Sequence, residues 1–281
     1  MSAPQIALIS ILSAFGVALL VFAVWLFLVA PSIPTRCNKK YRSVRFAHRG
    51  LHTDGVAENS MTAFAKAVEA GYGIELDIRL CKSGELVVFH DPTLTRVAGV
   101  DKRVIDLTLQ ELRELKLLGT PDTVPTFREV LALVDGRVPL LIEIKNGTDE
   151  SGVAEKFLEE IEGYSGEYIV ESFNPKALRT VRRARRDIPL GILSMAYMKE
   201  EEYRGKVLYR FLERLRTNFL FRPDFIAYRH TDSGVLALRL IRFIFRVPTF
   251  AWTVRSEEDE VLARQNGFDS VIFEKYIPKD K

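Results

Sequence analysis

From residue 44 to residue 274, short apolar runs alternate with longer amphipathic ones. The extended runs are "VRFAHRG", "YGIELDIRL", "LVVFHD", "PLLIEIKN", "EYIVESFN", "PLGILSM", "PDFIAYR", "TFAWTV" and "SVIFEK". Between them, "SMTAFAKAVEAG", "TFREVLALV", "SGVAEKFLEEIEG", "PKALRTVRRARR" and "SEEDEVLARQNG" repeat their apolar residues at helical spacing. Such alternation over one continuous stretch predicts a parallel sheet covered by helices, and nine strand-like segments suit a closed eight-stranded barrel with one segment misread better than two domains. No internal repeat and no Pro/Gly/Ser linker divides the body. One connection breaks the rhythm: only the nine residues Ile78 to Leu86 join "GIELD" to "VVFHD". They are too few for a crossover helix, so the barrel is expected to lack a helix there, with an extended return of about 30 Å. A hairpin turning at "KSGE" is the alternative. Asn59 or Ser60 stands where a cap is needed for a helix starting near Met61, and Thr126 precedes Glu129 at capping-box spacing.

The pattern is different upstream. Ile6 to Ala30 is 25 residues without a charge, Asn, Gln or His, about 37 Å as a helix and enough to cross a ~30 Å hydrocarbon core. A cleavable signal would have a shorter apolar stretch and a basic leader, and "MSAPQ" has none. Arg36, Lys39, Lys40, Arg42 and Arg45 crowd the far side with no acid among them, which the positive-inside rule reads as a cytoplasmic flank. These residues are also suited to holding anionic lipid headgroups. The expected organisation is an anchor over residues 1–30, a basic linker over 31–42 and a barrel domain over 43–281, on a single-pass chain whose barrel faces the cytoplasm.

Composition narrows this little. A chain of 281 residues that is 47% hydrophobic can bury one large core, and a barrel needs about 250 residues. The formal charge of +3 on 40 basic and 37 acidic residues excludes the global field of a nucleic-acid binder. Cys37 and Cys81 offer neither a disulfide framework nor zinc spacing.

Chemistry gathers where strands end. "FAHRG" closes on His48 and Arg49, "GIELD" carries Glu75 and Asp77, "VVFHD" closes on His90 and Asp91, and "LLIEIK" carries Glu143 and Lys145. Residues two apart share a strand face, so Glu75 points with Asp77 and Glu143 with Lys145, toward the mouth where barrel active sites lie. One "ExD" or one histidine is ordinarily structural. Four consecutive strand ends with costly charges in apolar strands point to a site. Glu75, Asp77 and Glu143 form a hard oxygen set suited to Ca²⁺ or Mg²⁺. Arg49 and Lys145 are cations fit for a phosphoryl group, and His48 with His90 titrate in the range needed to move protons.

In order, His48-Arg49-Gly50, Glu58-Asn59, Glu75-Leu76-Asp77, His90-Asp91 and Glu143-Ile144-Lys145 resemble the HRG, EN, ExD, HD and ExK motifs of the glycerophosphodiester phosphodiesterases. The resemblance continues more loosely at Ser172-Phe173 and at "WTV", Trp252 to Val254. It implies a TIM (β/α)8 barrel related to bacterial phosphoinositide phospholipases. It also implies a Ca²⁺ or Mg²⁺ bound by Glu75, Asp77 and Glu143, a His48–His90 acid-base pair, and cleavage of a small or lipid-derived glycerophosphodiester to glycerol 3-phosphate and an alcohol. Trp252, where the family has a Trp, is expected to wall the substrate site. Arg255 in place of the family's Asn after "WTV", and "SVIFEKYIP" in place of a "GIITDxP"-like end, depart from the pattern.

Lysophospholipase D activity at the same site is an alternative that an apolar mouth would favour. A non-catalytic membrane scaffold is less favoured, because all seven polar site positions are present. Lys199 to Arg222 reads as one charged amphipathic outer helix rather than a membrane-contacting lid, because Arg and Glu alternate around it. Arg182, Arg183, Arg185 and Arg186 read as a solvated face, and His52 as a solvated loop residue; His230 is open between a mouth position and a structural one. Headgroup preference and oligomeric state are not encoded in any of these patterns.

Overall fold

In a computed structural model, which describes residues 2–37, 39–145 and 151–279, the alternating runs become nine strands and ten α-helices among the described residues. The strands are β1 (Arg45–Ala47), β2 (Gly73–Leu80), β3 (Leu86–Val88), β4 (Leu140–Ile144), β5 (Tyr168–Ser172), β6 (Leu190–Ser194), β7 (Phe225–Arg229), β8 (Thr249–Val254) and β9 (Ser270–Phe273). The helices are α1 (Ala3–Val29), α2 (Met61–Ala70), α3 (Thr95–Ala98), α4 (Leu109–Arg113), α5 (Phe127–Val134), α6 (Val153–Glu160), α7 (Pro175–Ala184), α8 (Val207–Glu213), α9 (Leu236–Phe245) and α10 (Glu257–Gln265).

Eight strands pair in parallel and β1 joins both β2 and β9, closing the barrel. The ninth, β3, lies antiparallel on β2 with Ile78 opposite Val88, so the short connection is a hairpin without a helix. That is the segment in excess of eight, and it carries Phe89, His90 and Asp91 back toward the end of β2, where the Phe89 N–H donates to the Asp77 carbonyl. The chain then returns through α3, α4 and α5 before β4.

Each strand splits its side chains between two environments. Outward residues such as Leu76, Ile78, Leu140, Ile142 and Ile144 pack under the helices. Inward residues at the base, Phe46, Leu141, Ile169, Phe225, Phe250 and Ile272, fill the barrel as an apolar plug. Phe250 stacks on Phe225 at 4.6 Å and on Phe46 at 5.9 Å. Two inward glycines make the room: a Cβ on Gly191 would lie 2.1 Å from the Phe225 ring, and one on Gly73 would lie 2.7 Å from Phe46.

Both expected caps form. The Ser60 side chain accepts from the Ala63 N–H at the start of α2, and Thr126 with Glu129 makes a capping box on α5. The Lys199 to Arg222 segment is not one helix. It breaks into 3₁₀ turns at Glu201–Tyr203 and Asn218–Leu220 on either side of the seven-residue α8. Gly205, at φ +83°, interrupts the helical path. Arg182 is not solvated either: it forms an ion pair with the fully buried Asp224.

Helix α1 is long and apolar enough to cross a membrane. Three of the five flanking cations are occupied by the barrel base, Arg36 with Asp224, Arg42 with Asp269 and Arg45 with Glu260. The side chain of Lys40 and the last two residues of the expected domain, 280–281, lie outside the described residues.

Candidate active site

Two residues along each inward row, the apolar base gives way to polar groups. Phe46 is followed by His48, Gly73 by Glu75 and then Asp77, Leu141 by Glu143 and then Lys145, Ile169 by Glu171, Phe250 by Trp252, and Ile272 by Glu274. The period of two therefore delivers these eight groups, from six strands, to one mouth.

Ligand oxygens of Glu75, Asp77 and Glu143 lie within 4.8 Å of one another, and all three residues are buried. Lys145 Nζ sits 2.8 Å from Asp77 Oδ1 and 2.6 Å from Glu143 Oε1. Arg49 anchors the other side. Its backbone N–H donates to Glu75 Oε2 at 2.8 Å, its guanidinium donates to Glu58 at 2.6 Å, and its Nε is 3.5 Å from Asp77 Oδ2. Arg49 adopts φ +56°, a left-handed conformation uncommon for a bulky residue, and it is held there by these contacts. Asn59, also left-handed at φ +51°, donates from Nδ2 to Asp77 Oδ2 at 2.8 Å.

The charges do not balance. Glu75, Asp77, Glu143 and the buried Glu171 bring four carboxylates against two cations, Arg49 and Lys145, an excess of two carboxylates (4 − 2). Burial raises the Glu75 pKa well above the carboxylate range, reinforced by Asp77, Glu143 and Glu171. Glu143 is raised by burial in spite of Lys145, and Glu171 is raised well above by burial and by Glu143. Asp77 goes the other way: burial opposes its charge, and Lys145, His90 and Arg49 outweigh burial. Glu171 also keeps a buried Oε2 with no hydrogen-bond partner. An excess of two carboxylates among hard oxygen donors fits a divalent cation such as Ca²⁺ or Mg²⁺, and Glu75, Asp77 and Glu143 could hold one.

Each histidine is backed by an acid. His48 Nδ1 is 2.6 Å from Glu274 Oε2, and His48 Nε2 is 4.0 Å from Glu75. Burial of Glu274 works against its charge, but bonds from His48, His52 and Arg255 outweigh this and hold its pKa well below the usual range. His90 Nδ1 is 2.6 Å from Asp91 Oδ1, and Arg96 bonds both Asp91 and Glu58. Burial of Asp91 is outweighed by Arg96 and His90, which bring it down to about 2. Burial lowers His48, and it brings His90 to about 4.

The seven polar residues expected together are together. Trp252 stands beside them, its ring 5.4 Å from Phe173 edge to face, with a buried Nε1 lacking a partner. Glu274 and Glu171 complete the set without having been singled out in sequence. Glu274 sits in the departing "SVIFEKYIP" end and Glu171 shares its strand face with Ile169; only the inward period of two marks them. His52 is not simply solvated, since Nε2 lies 3.8 Å from Glu274. His230 is buried and has the Thr253 backbone, Asp259 and Arg255 around it rather than the carboxylate cluster.

Comparison with known proteins bears on the family and the fold. The sequence model of the Glycerophosphoryl diester phosphodiesterase family matches residues 48–276. A glycerophosphodiester phosphodiesterase of Caldanaerobacter subterraneus is 37% identical over 54% of this chain and 67% of its own length. The chain thus matches about two thirds of that relative's length. Among solved structures, a glycerophosphodiester phosphodiesterase of Thermotoga maritima superposes with a TM-score of 0.63 at 29% identity, covering 82% of this chain and 94% of that one. An Oleispira antarctica phosphodiesterase, solved with sn-glycerol-3-phosphate, shares the fold at a TM-score of 0.68 and 21% identity over 82% of this chain and 92% of its own. With a family match that runs from the end of β1 to residue 276 and its motifs converging on one mouth, this chain belongs to the glycerophosphoryl diester phosphodiesterase family of phosphoric diester hydrolases.

Proposed function

We propose that this chain hydrolyses glycerophosphodiesters to glycerol 3-phosphate and an alcohol, with Glu75, Asp77 and Glu143 holding a divalent cation and His48 with His90 transferring protons. The observation that carries this reading is the pairing, at one mouth, of an uncompensated carboxylate cluster with two carboxylate-backed imidazoles. A cation bound there supplies charge neutralisation and polarises a phosphoryl oxygen.

The side chains support the remaining steps. Ionised Glu274 and Asp91 can only accept a hydrogen bond, so Nδ1 of each histidine carries the proton and each Nε2 is left to accept one. One imidazole takes the proton of the substrate's glycerol 2-hydroxyl as that oxygen attacks phosphorus. The other, once protonated, gives its proton to the departing alcohol, and the roles reverse as water opens the cyclic phosphate. Lys145 has a third N–H beyond its two carboxylate contacts, and Arg49 Nε is buried without a hydrogen-bond partner. Both cations thus retain donors for phosphoryl oxygens. Trp252 walls the site and offers its Nε1–H.

Helix α1 is read as crossing a membrane with the barrel on the cytoplasmic side. A reporter fused after residue 281 is then protected from protease on intact cells, and its digestion would move the barrel outside.

Turnover of a panel of glycerophosphodiesters and lysolipids with Ca²⁺, Mg²⁺ or chelator tests the reaction. Metal-dependent release of glycerol 3-phosphate is expected. Release of headgroup from lysophosphatidylcholine but not from glycerophosphocholine would assign lysophospholipase D activity instead, and no turnover of any diester would refute the reading.

A further inference from the structure

Helix α1 does not simply hang from the chain; its last turns are docked on the barrel in a definite direction. At the barrel base, the Ser32 N–H donates to the Pro223 carbonyl, and Arg222 donates to the carbonyls of Phe27 and Ala30. Higher up, Asn218 Nδ2 donates to the Val29 carbonyl, and the Phe27 ring lies 5.9 Å from Phe219. Higher still, Trp25 lines a cleft with Glu213, Val235 and Leu236, at the end of the barrel where β7 has already finished. Followed backward, α1 therefore climbs from base to mouth. Its 22 unpacked residues, Ala3–Val24, continue for about 33 Å past that level, enough to cross a bilayer core.

A span leaving from the mouth end turns that end toward the membrane. The surface found there matches one. On α8, Val207 and Leu208 are 69% and 62% exposed, and Phe211 is exposed one turn on; Leu236, at the start of α9, flanks α1 on the other side. Arg204, Lys206, Arg210 and Arg214 stand exposed around this apolar group; of the nearby acids, Glu213 turns inward to accept from the Met198 N–H, and the exposed Glu201 and Glu202 lie in the preceding 3₁₀ turn. The tethering is local to the site. Tyr209 beside these residues packs on Tyr203 at 4.3 Å and on Tyr197 at 5.2 Å, and Tyr197 is buried at the mouth.

We propose that α8 and the first turn of α9 form an interfacial membrane-docking surface, seating the barrel mouth-first on an anionic lipid bilayer beside the α1 span. Val207, Leu208, Phe211 and Leu236 enter the boundary between headgroups and acyl chains, and the four cations meet lipid phosphates. Three of the five cations that follow α1 in sequence are committed elsewhere, because Arg36, Arg42 and Arg45 are paired at the opposite end. The proposal rests on α1 crossing the membrane and not on the reaction.

The test uses the full chain in nanodiscs containing phosphatidylglycerol, labelled with an environment-sensitive fluorophore at Phe15→Cys, Leu208→Cys or Phe243→Cys, and quenched by brominated acyl chains. Phe243 is the internal control: it is 83% exposed and as apolar, but lies at the base end of α9. Bromolipid is expected to lower emission about twofold at Leu208, whose site would sit some 5–10 Å into the interface, and strongly at Phe15, with no loss at Phe243. Quenching at neither Leu208 nor Phe243, at both equally, or at Phe243 alone overturns the proposal. Shielding of Leu208 without bromine quenching, together with a doubled particle mass, would assign this surface to a second copy instead. An unquenched Phe15 would remove the span and the docking surface together, leaving the reaction untouched.

Discussion

The barrel's two interior layers are built by one rule from opposite materials. At the base, Phe46, Leu141, Ile169, Phe250 and Ile272 point inward and bury completely or nearly so. Two residues later on the same strands stand His48, Glu143, Glu171, Trp252 and Glu274, and the interior becomes polar. The lower layer gains from every contact. The upper layer crowds carboxylates in low dielectric, which burial answers in the metal-free chain by raising the pKa values of Glu75 and Glu171. The contrast separates residues that make the barrel from residues proposed to make it reactive, and substitutions in the two layers are expected to fail in different ways.

The greatest loss is expected from the upper layer. Asp77→Ala or Glu143→Ala removes one of three oxygen donors, and turnover should fall more than about 10³-fold while thermal melting shows a folded chain. Full turnover of either variant in chelated buffer would break the assignment. His48→Ala and His90→Ala should each cost about 10²–10⁴ in turnover with metal still bound. On a nitrophenyl diester, whose leaving group needs little protonation, the variant lacking the acid should recover much of its rate and the variant lacking the base should not. Equal inactivity of both on that substrate, with fold and metal retained, would rule out the two-histidine scheme. Glu274→Gln keeps the shape but not the charge behind His48, and a loss of about tenfold to a hundredfold with a displaced pH profile is expected, a fraction of what the imidazole itself contributes. Phe250→Ala is the inverse case. It should destabilise by about 3–5 kcal/mol in chemical denaturation, through the cavity left between Phe46 and Phe225, while turnover of the remaining folded protein changes little.

A pH experiment sharpens the same contrast. Glu171 and Glu75 have pKa values raised well above the ordinary 4.5 in the metal-free chain. Between the ordinary and raised values the folded chain keeps protons that the unfolded chain has released, so stability falls as pH rises through that window. Melting in chelator should therefore drop as pH climbs from about 4.5 upward. Glu171→Gln should flatten the drop, and a melt that instead rises over that range would contradict the buried excess of carboxylates.

Much of this was legible in sequence because the strand period is short. Glu75 with Asp77 and Glu143 with Lys145 declare a shared face by spacing alone, and strand-helix alternation declares the barrel. What was not legible depends on contacts distant in sequence. Glu274 is 226 residues from His48, and nothing local says that the last strand lies beside the first. Asn59 reads as a helix cap, yet Ser60 caps α2 and Asn59 bonds Asp77, since the left-handed turn at Arg49 and Asn59 redirects it. The basic run at Arg182 hides a buried pair because its partner, Asp224, follows 42 residues later. The single helix expected over Lys199 to Arg222 failed at Gly205, where a charge pattern outweighed a visible break.

The central claim, that the upper layer is a divalent-cation site, is tested most directly by calorimetric titration of Ca²⁺ or Mg²⁺ into the metal-free chain in two buffers of different ionisation enthalpy. Because burial raises the pKa of Glu75 and of Glu143 and a bound cation would lower both, the account predicts one-site binding with net proton release, lost in Glu143→Ala. Binding that releases no protons and persists in Glu143→Ala, or an absence of binding in a chain that still turns over its diester, would contradict it.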